Sequence, residues 1–364
     1  MRFAIVSPAT PDVPTYAVTA EELGFDSGWL FDSHMVYSDV YVIMALAAER
    51  TRRMTFGTGI AVAPSRIAPV TAHSIATLNA LYPGRVELGI GTGNTGRRTM
   101  GMPPMKLAAF REYLRVLRGL LRGETVEYRE GDVVRPIRFM HPERGVISLD
   151  GPIPVHVAAF GPKALELAGE VGDGWITFWG GPDDVRSARK MMDGGAKKAG
   201  RSLAEDGFRT ICFHNVWVTR PGERVDSEQA RMAVGPSIFS MIRYQIHAGS
   251  LAVDAAGKPI GVPEMLARPI ERFLGWMKRE NIDPDRDFAR FYENYFLRLR
   301  KEHFDLLDAD TIRAITIAGP PEECVERIRE FERAGVTDFG IVLGGNAQEL
   351  MKRFAKHVIR RWST

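Results

Sequence analysis

Residues 85–96 read Arg85-Val-Glu-Leu-Gly-Ile-Gly-Thr-Gly-Asn-Thr-Gly96, an apolar strand pattern that runs directly into a glycine-rich turn. Glycines let the backbone adopt positive φ and approach a ligand closely, and successive N–H groups in such a turn form an anion-binding concavity. The stretch is not a Walker A loop, because no Gly-Lys-Ser/Thr follows Gly96. Residues 91–96 match Gly-x-Gly-x-x-Gly, but residues 97–104 intervene and no helix opens at once, so the dinucleotide signal is weak.

The segments on both sides of this stretch repeat the same order of strand, loop and helix. Short apolar runs rich in β-branched residues predict strands at Arg2–Ser7, Ser27–Phe31, Met54–Val62, Arg85–Gly91, Pro154–Ala158, Gly174–Phe178, Arg209–Thr219 and Thr337–Leu343. Helical patterns follow at Pro14–Leu23, Asp39–Thr51, Pro69–Leu81, Pro104–Arg122, Pro162–Val171, Pro182–Ala199, Glu322–Ala334 and Ala347–Arg361. Continuous apolar strands of this kind indicate a parallel sheet that is buried on both faces.

Eight β/α units in one chain predict an α/β (β/α)8 TIM barrel, a single domain over residues 1–364. Residues 123–151 are polar and predict a small excursion such as a hairpin. Residues 221–310 are helical and aromatic-rich with no strand pattern, which predicts a helical insertion between strand 7 and the last β/α unit. The alternative is a doubly wound open sheet, which would carry its phosphate turn after strand 1, where residues 8–11 contain no glycine.

Composition limits the classes of partner. The net charge of +3 on 364 residues gives a nucleic-acid role no global electrostatic support. No apolar run approaches the length of a membrane span, and the chain starts with a strand pattern in place of a signal peptide. Cys212 and Cys324 lie far apart and outside any C-x-x-C pair, which indicates reduced, buried thiols. We therefore expect a cytoplasmic protein without a nucleic-acid or membrane partner.

A barrel carries its function at the carboxyl ends of its strands. Distinctive wording lies there in Glu21-Glu-Leu-Gly-Phe-Asp-Ser-Gly-Trp-Leu-Phe-Asp-Ser-His34, Gly57-Thr-Gly-Ile-Ala-Val-Ala-Pro64, Leu81-Tyr-Pro-Gly-Arg-Val-Glu-Leu-Gly-Ile-Gly-Thr-Gly93, Pro154 to Trp175, and Gly319 to Val336. Together these stretches resemble the luciferase-like flavin-dependent family, which includes bacterial luciferase, alkanesulfonate monooxygenases and reductases that use the deazaflavin coenzyme F420. The Tyr-Pro-Gly-Arg motif and the Gly-Thr-Gly turn resemble the F420 branch of this family most.

The resemblance implies a catalytic role for His34, which would donate or accept the proton that accompanies hydride transfer. Position alone is equally compatible with a solvated loop histidine. Ser33 stands where the family has the preceding aspartate, and Asp32 is a substitute candidate. The resemblance also implies a non-prolyl cis peptide at Gly59-Ile60 behind the cofactor ring, with Val62 nearby, although a trans β-bulge would fit the glycine as well.

After strand 4, the resemblance places Thr92 and Gly93 beside the cofactor ring or its ribityl chain. Asn94 replaces an acidic residue of the sugar-phosphate dehydrogenases in this branch, and an amide is no general acid or base at neutral pH. This departure argues against alcohol oxidation by the same mechanism. Arg97 is a candidate contact for an anionic cofactor tail or substrate, whereas adjacent arginines are commonly solvated surface.

After strand 5, Ala159, Phe160 and Gly161 open a helix with Lys163 in its first turn. The resemblance implies a cofactor phosphate site, because amides at a helix start bind anions. An ordinary β-α loop is the alternative. Trp179 ends strand 6 and either stacks on a ring or simply packs. His156 lies inside strand 5 and is interpreted as a core histidine. The remaining histidines show no metal-ligand spacing, so no metal site is predicted.

These observations predict an oxidoreductase that uses coenzyme F420 to move hydride to or from an organic substrate such as an imine, carbonyl or activated alkene. The first alternative is an FMN-dependent monooxygenase that uses O2 and requires a separate flavin reductase. The second alternative is a non-catalytic flavin-binding barrel. The resemblance implies a homodimer through helices near strands 2 and 3, where the predicted helix at residues 39–51 is unusually apolar. A buried helix within one chain would show the same pattern.

Overall fold

The computed structural model describes residues 1–247, 252–253, 259–260 and 264–362. Eight strands close into a barrel, which confirms the predicted (β/α)8 fold. In chain order they are β1 (Arg2–Pro8), β2 (Ser27–Phe31), β3 (Thr55–Val62), β4 (Val86–Gly91), β5 (Val155–Ala158), β6 (Gly174–Phe178), β7 (Arg209–His214) and β8 (Asp338–Val342). Around the barrel the order is β1-β8-β7-β6-β5-β4-β3-β2, and consecutive strands such as β1 and β2 pair in parallel.

The helices begin and end near the residues expected from the sequence. In the described ranges they span Val13–Leu23, Val40–Glu49, Ala68–Leu81, Asn94–Arg98, Leu107–Leu121, Pro162–Val171, Pro182–Lys198, Glu228–His247, Glu264–Arg279, Phe288–Phe291, Ala309–Ile315, Pro321–Arg333, Ala347–Phe354 and Arg360–Trp362. Local chemistry fixes several ends. The Asp39 side chain accepts hydrogen bonds from the N–H groups of Tyr41 and Val42, and Gly24 ends the first helix with a φ of 91°.

One predicted strand is wrong in its extent. Residues 209–219 were expected to form a single strand, but β7 ends at His214. After Asn215 the chain forms a separate strand, Val216–Val218, which pairs in parallel with Ile317–Gly319. The sequence pattern does not reveal that partner. Apolar and β-branched residues on both sides of Asn215 satisfy the strand pattern, so the sequence does not mark where the chain changes partners.

The two segments that were predicted to interrupt the strand–helix repeat of the barrel, 123–151 and 221–310, contain regular secondary structure. Residues 123–151 include the antiparallel strands Val126–Glu130 and Val133–Ile137. The sequence predicts a helical segment without strands at residues 221–310, but Ala252–Val253 and Pro259–Ile260 pair as a short antiparallel ladder. Other parts of this segment, at 248–251, 254–258 and 261–263, lie outside the described residues. Two-residue strands are too short to leave a periodic signal in the sequence.

The chain divides into two compact units. The first comprises Met1–Gly96, Pro104–Cys212 and Phe331–Gly340, and the second comprises Arg97–Pro103, Phe213–Glu330 and Ile341–Thr364. Cys212 and Cys324 are both buried and neither is in a disulfide, as expected. None of the described helices is both long enough and apolar enough to cross a membrane.

The first unit contains a buried polar layer near the amino ends of its strands. Oε2 of Glu87 lies 2.8 Å from Nε2 of His156 and 2.6 Å from Nη1 of Arg209. Nε of Arg209 also donates to Asp338 at 3.0 Å. His156 is fully buried, which confirms its interpretation as a core residue. Buried charges are tolerated only when they are paired in this way.

The second unit has an aromatic core of its own. The rings of Phe239 and Phe273 have centroids 5.4 Å apart, and His303 lies 4.9 Å from Phe239. A Cβ on Gly235 would lie 2.6 Å from Leu299, so glycine allows the helix Glu228–His247 to approach closely there.

Candidate functional site

The loop after β2 carries the residue predicted to be catalytic. His34 is partly exposed, and its Nδ1 lies 2.9 Å from Oγ of Ser65. Ser33 is buried, and its carbonyl accepts the N–H groups of residues 36 and 37. Asp32 accepts a hydrogen bond from the Val62 N–H at 3.0 Å. Burial raises the pKa of Asp32, against the opposing effects of the Val62 N–H and the charge of Arg66.

The end of β3 has an irregular backbone. The peptide bond between Gly59 and Ile60 is cis, which confirms the sequence-based expectation. The register of β3 against β4 shifts between Thr58 and Ala61 at this bond. The bulge therefore sits at the carboxyl end of a barrel strand, where barrel enzymes place their sites.

β4 presents glycines to this bulge. A Cβ on Gly91 would lie 2.6 Å from Cδ1 of Ile60, and one on Gly89 would lie 3.3 Å from Cγ2 of Ile60. The Ile60 side chain therefore fills the space that side chains on β4 would take. Ile60 itself is partly exposed, so its side chain, backed by the two buried glycines, forms a small apolar surface at this strand end.

The turn after β4 differs from expectation in one respect. Gly93 adopts a φ of 81°, as a tight turn requires. A one-turn helix, Asn94–Arg98, opens immediately after it, whereas no helix was expected before residue 104. Short helices lack the apolar periodicity from which the sequence reading was made. Thr92 is partly exposed, and its carbonyl accepts the Met105 N–H at 2.9 Å.

Arg97 belongs to the second unit, where its side chain contacts its own loop. Its Nε donates to the carbonyl oxygen of Pro103 at 3.2 Å. This bond closes the segment Arg97–Pro103 on itself. A role of Arg97 toward an anionic group stays a prediction.

The loop after β5 leads into the predicted phosphate-binding helix, Pro162–Val171. The Ala159 carbonyl accepts the indole N–H of Trp175 at 2.8 Å, which fixes the start of the loop. Phe160 is 54% exposed, and Lys163 is also exposed. A Cβ on Gly161 would meet no atom within 4 Å, so the approach to the first turn of this helix is open.

Trp179 follows β6 in a left-handed conformation with a φ of 65°. Its ring centroid lies 4.1 Å from that of Phe178, edge to face. Phe178 in turn lies 6.2 Å from Phe31 at the end of β2. An aromatic group thus joins the ends of β2 and β6, and Trp179 is part of it.

The first unit therefore brings together most of the predicted site residues on the carboxyl ends of β2 to β6. Sequence reasoning missed Ser65, although the motif quoted for β3 ended one residue before it. Its signal was only positional, as a hydroxyl residue after a strand end. In the described part of the chain, no three His, Cys, Asp or Glu side chains are grouped to hold a metal ion.

The second unit holds a further polar group that the sequence did not reveal. Nδ1 of His247 lies 2.7 Å from the hydroxyl of Tyr292. Burial and the nearby charge of Arg98 lower the pKa of His247. Burial also raises the pKa of Tyr292. These residues come from the insertion and from the one-turn helix, which are distant in sequence.

Comparisons with known proteins agree on one family. The family model described as luciferase-like monooxygenase matches residues 4–338. The 5,10-methylenetetrahydromethanopterin reductase of Methanolobus tindarius is 31% identical over 356 residues, covering 94% of each chain. An F420-dependent glucose-6-phosphate dehydrogenase of Microbacterium testaceum is 33% identical over 322 residues, covering 79% of this chain and 92% of the relative. The solved coenzyme F420 dependent tetrahydromethanopterin reductase of Methanopyrus kandleri superposes with a TM-score of 0.71 at 24% identity over 99% of each chain, a likeness of fold.

Proposed function

Because the chain belongs to the luciferase-like monooxygenase family, we propose that it is an F420-dependent oxidoreductase that transfers hydride between the deazaflavin and an organic substrate. Two kinds of relative support the cofactor, since both the reductase and the dehydrogenase named above are similar over most of this chain. The observation that carries the proposal is the partly exposed Ile60 side chain, which Gly89 and Gly91 back at the carboxyl end of β4 in the same unit as His34.

The residues at these strand ends fit a flat ring with an anionic tail. The Ile60 side chain, backed by the buried glycines of β4, offers an apolar surface, and Thr92 and Gly93 follow directly at the end of β4. The open first turn at Gly161 and Lys163 suits the cofactor phosphate, because helix-start amides and a lysine both favour an anion. Asp32, Ser33, Val62, Ala159, Phe160 and Trp179 complete the proposed cofactor contacts.

Coenzyme F420 supplies a hydride donor or acceptor when it is bound. In this proposal the protein contributes the proton, and His34 is the group that gains or loses it. Asn94 contributes only hydrogen bonds, because an amide does not titrate at neutral pH. Reduction of an imine, carbonyl or activated alkene needs one proton beside the hydride, so a single histidine suffices for it.

We further propose a homodimer through the helix Val40–Glu49 and its neighbour Ala68–Leu81. Val42 and Leu46 lie one turn apart and are 57% and 50% exposed. Ile67, Val70 and Leu81 are also exposed at or along the second helix. Light scattering should give twice the monomer mass for the natural chain. A V42D/L46D variant should be monomeric at micromolar concentration, and a natural chain that is already monomeric would contradict the proposal.

The first test is equilibrium binding of coenzyme F420 and of FMN, side by side, by fluorescence quenching. We expect micromolar or tighter binding of F420 and clearly weaker binding of FMN. The opposite preference would overturn the F420 assignment and direct the work to O2-dependent assays with a flavin reductase. If neither cofactor bound, a non-catalytic barrel would become the better account.

The second test separates binding from chemistry. His34→Ala should bind F420 within a few-fold of the natural chain but lose roughly 100-fold or more in kcat, because general acid–base catalysis is worth about that much. His141→Ala is the matched control, since His141 is exposed on the excursion. Lys163→Ala should instead weaken F420 binding without changing kcat at saturation, and Lys190→Ala controls for loss of an exposed lysine.

A further inference from the structure

Two side-chain hydrogen bonds join the loops that follow β2 and β3. Asp32 accepts the Val62 N–H at 3.0 Å, and Nδ1 of His34 lies 2.9 Å from Oγ of Ser65. Val62 is the last residue of β3, and Ser65 ends the 3-10 turn Ala63–Ser65 that follows directly. Both bonds therefore act on the same short segment, whose position relative to His34 is fixed at two points.

The residue after Ser65 is anchored as well. The hydroxyl of Tyr113 donates to the Arg66 carbonyl at 3.0 Å and lies 2.6 Å from Oγ1 of Thr71. The Arg66 side chain pairs with Asp39 and lies over the Tyr41 ring, 4.8 Å from its centroid. The Ser65 hydroxyl is thus held between two fixed backbone groups, so little reorganisation is needed to place it against His34.

Another part of the His34 imidazole, away from Ser65, lies close to the chain that follows β4. A Cβ on Gly96 would lie 3.5 Å from Cε1 of His34 and 3.0 Å from Val62. Glycine at position 96 therefore lets the chain after β4 come close to the ring edge that joins Nδ1 to Nε2. Nε2 is the nitrogen that Ser65 does not engage.

We infer that Ser65 is a positioning residue whose hydroxyl accepts a hydrogen bond from Nδ1–H of His34 and so makes Nε2 the atom that exchanges the proton. A serine hydroxyl can donate or accept. Only acceptance from Nδ1–H is compatible with both the charged and the neutral ring, because the charged ring carries a proton on both nitrogens. The same hydrogen bond then persists through the reaction without reorganisation.

The catalytic consequence of this inference rests on the proposed function. In reduction, the charged ring breaks its Nε2–H bond, and the proton forms a bond to the substrate atom that does not receive the hydride. The ring becomes neutral with Nδ1–H unchanged, and a bound reduced deazaflavin would supply the accompanying hydride. In the reverse direction Nε2 takes the proton. The charged groups of the two loops are Asp32, two positions before His34, and Arg66, next to Ser65. Arg66 is paired with Asp39.

The test needs neither cofactor nor turnover. Nitrogen-15 NMR of the full chain labelled at histidine reports which ring nitrogen carries the proton, at about pH 8.5 where histidine is neutral. A His34→Gln variant assigns the signal. We expect the Nδ1–H form of His34 in the natural chain and in Ser65→Thr, which retains a hydroxyl. Ser65→Ala should move the population toward the Nε2–H form that free imidazole prefers.

Ser74→Ala is the matched control, because Ser74 bonds only the Val70 carbonyl on an exposed helix face. It should leave the His34 signal unchanged. If the natural chain shows the Nε2–H form, or if Ser65→Ala leaves the tautomer as it was, the inference is wrong. Neither result depends on F420, so a failure of the proposed cofactor would be seen separately in the binding experiment.

Kinetics supply the second readout. Ser65→Ala should lower kcat roughly tenfold with KM nearly unchanged, since a misplaced proton donor affects the transition state more than binding. Ser65→Thr should restore most of the rate. A Ser65→Ala variant that raises KM alone would indicate a binding role in place of a positioning role.

Discussion

The carbonyl oxygen of Thr58 lies 2.3 Å from the point that a Cβ on Gly89 would occupy. Oγ1 of Thr58 also donates a hydrogen bond to the Gly89 carbonyl at 2.6 Å. β3 and β4 therefore approach each other at their cis bulge more closely than any side chain on position 89 permits. At Gly91, two residues further along β4, a Cβ would lie 2.6 Å from the flexible end of Ile60 and 3.4 Å from Cβ of Ala158.

These two glycines should respond differently to alanine. Gly89→Ala must displace backbone, so we expect it to lower the free energy of unfolding by about 3 kcal/mol or more. In Gly91→Ala the new Cβ is too close only to Cδ1 of Ile60, which can rotate, while Ala158 lies at ordinary contact distance, so the loss should be about 1 kcal/mol. The rotated Ile60 would change the proposed ring-binding surface, and F420 binding by Gly91→Ala should weaken at least tenfold. Urea unfolding and fluorescence titration measure the two effects. Equal stability losses in the two variants would contradict the close backbone approach at Gly89.

Two adjacent glycines in the helix Pro182–Lys198 offer a matched pair. A Cβ on Gly194 would meet nothing within 4 Å, whereas one on Gly195 would lie 1.9 Å from the Glu166 carbonyl oxygen. Gly194→Ala should raise the free energy of unfolding by about 0.5–1 kcal/mol, because alanine is the better helix former. Gly195→Ala should lower it by several times that amount, since the helices Pro162–Val171 and Pro182–Lys198 would have to separate. Thermal unfolding of the two variants checks the sign, and stabilisation by both would contradict this packing.

The barrel was predictable because its signal is repeated. Each of the eight strands is a short apolar run followed by a helix with ordinary end signals, and errors at single ends do not alter the count. The strand at residues 209–219 shows where this reasoning fails. Nothing in the residues themselves says that the chain leaves the barrel after His214, because the decision depends on the partner Ile317–Gly319, which is about a hundred residues later.

The candidate site was predictable only in part. Glycines 89, 91 and 93 stood out in the sequence motif, since a backbone demand selects glycine. The cis bond at Gly59-Ile60 was implied only by the family resemblance, because a trans β-bulge would have fitted the same residues. Ser65 did not, because its contact with His34 joins two loops whose geometry comes from the barrel. The pair of His247 and Tyr292 is similar, since it joins two parts of the insertion through packing that leaves no pattern in the sequence.

The buried Glu87 carboxylate should make the fold sensitive to strong acid. Burial alone would raise its pKa, but the hydrogen bond from His156 and the charges of His156, Arg209 and Arg2 outweigh burial and lower the pKa to about 2. Because the unfolded value is higher, this group stabilises the fold above about pH 4.5 and loses that contribution as the pH falls toward 2. The loss should be on the order of 3 kcal/mol. Unfolding by urea across this range measures it.

Glu87→Gln is the informative variant for this window. It should be destabilised by about 3 kcal/mol at neutral pH, because Arg209 keeps Asp338 but loses one of two carboxylate partners. Its stability should then change less between pH 4.5 and 2 than that of the natural chain. Glu143→Gln, an exposed glutamate on the excursion, should match the natural chain in both respects. An unaltered acid dependence in Glu87→Gln would mean that Glu87 is not the titrating group.

Two buried histidines should make the free energy of unfolding depend on pH in a separate, higher pH range. Burial lowers the pKa of both His214 and His303 to about 4. Between pH 6.5 and 4 the unfolded chain therefore binds protons that the folded chain does not, so stability falls as the pH drops through this range. His303→Phe keeps an aromatic ring between Phe239 and Trp276 and removes one titrating group. The decrease in unfolding free energy from pH 6.5 to 4 should shrink by on the order of 3 kcal/mol, while His141→Phe should leave it unchanged. If His303→Phe retains the full decrease, His303 is charged in the folded protein and the aromatic core around it must hold a positive charge.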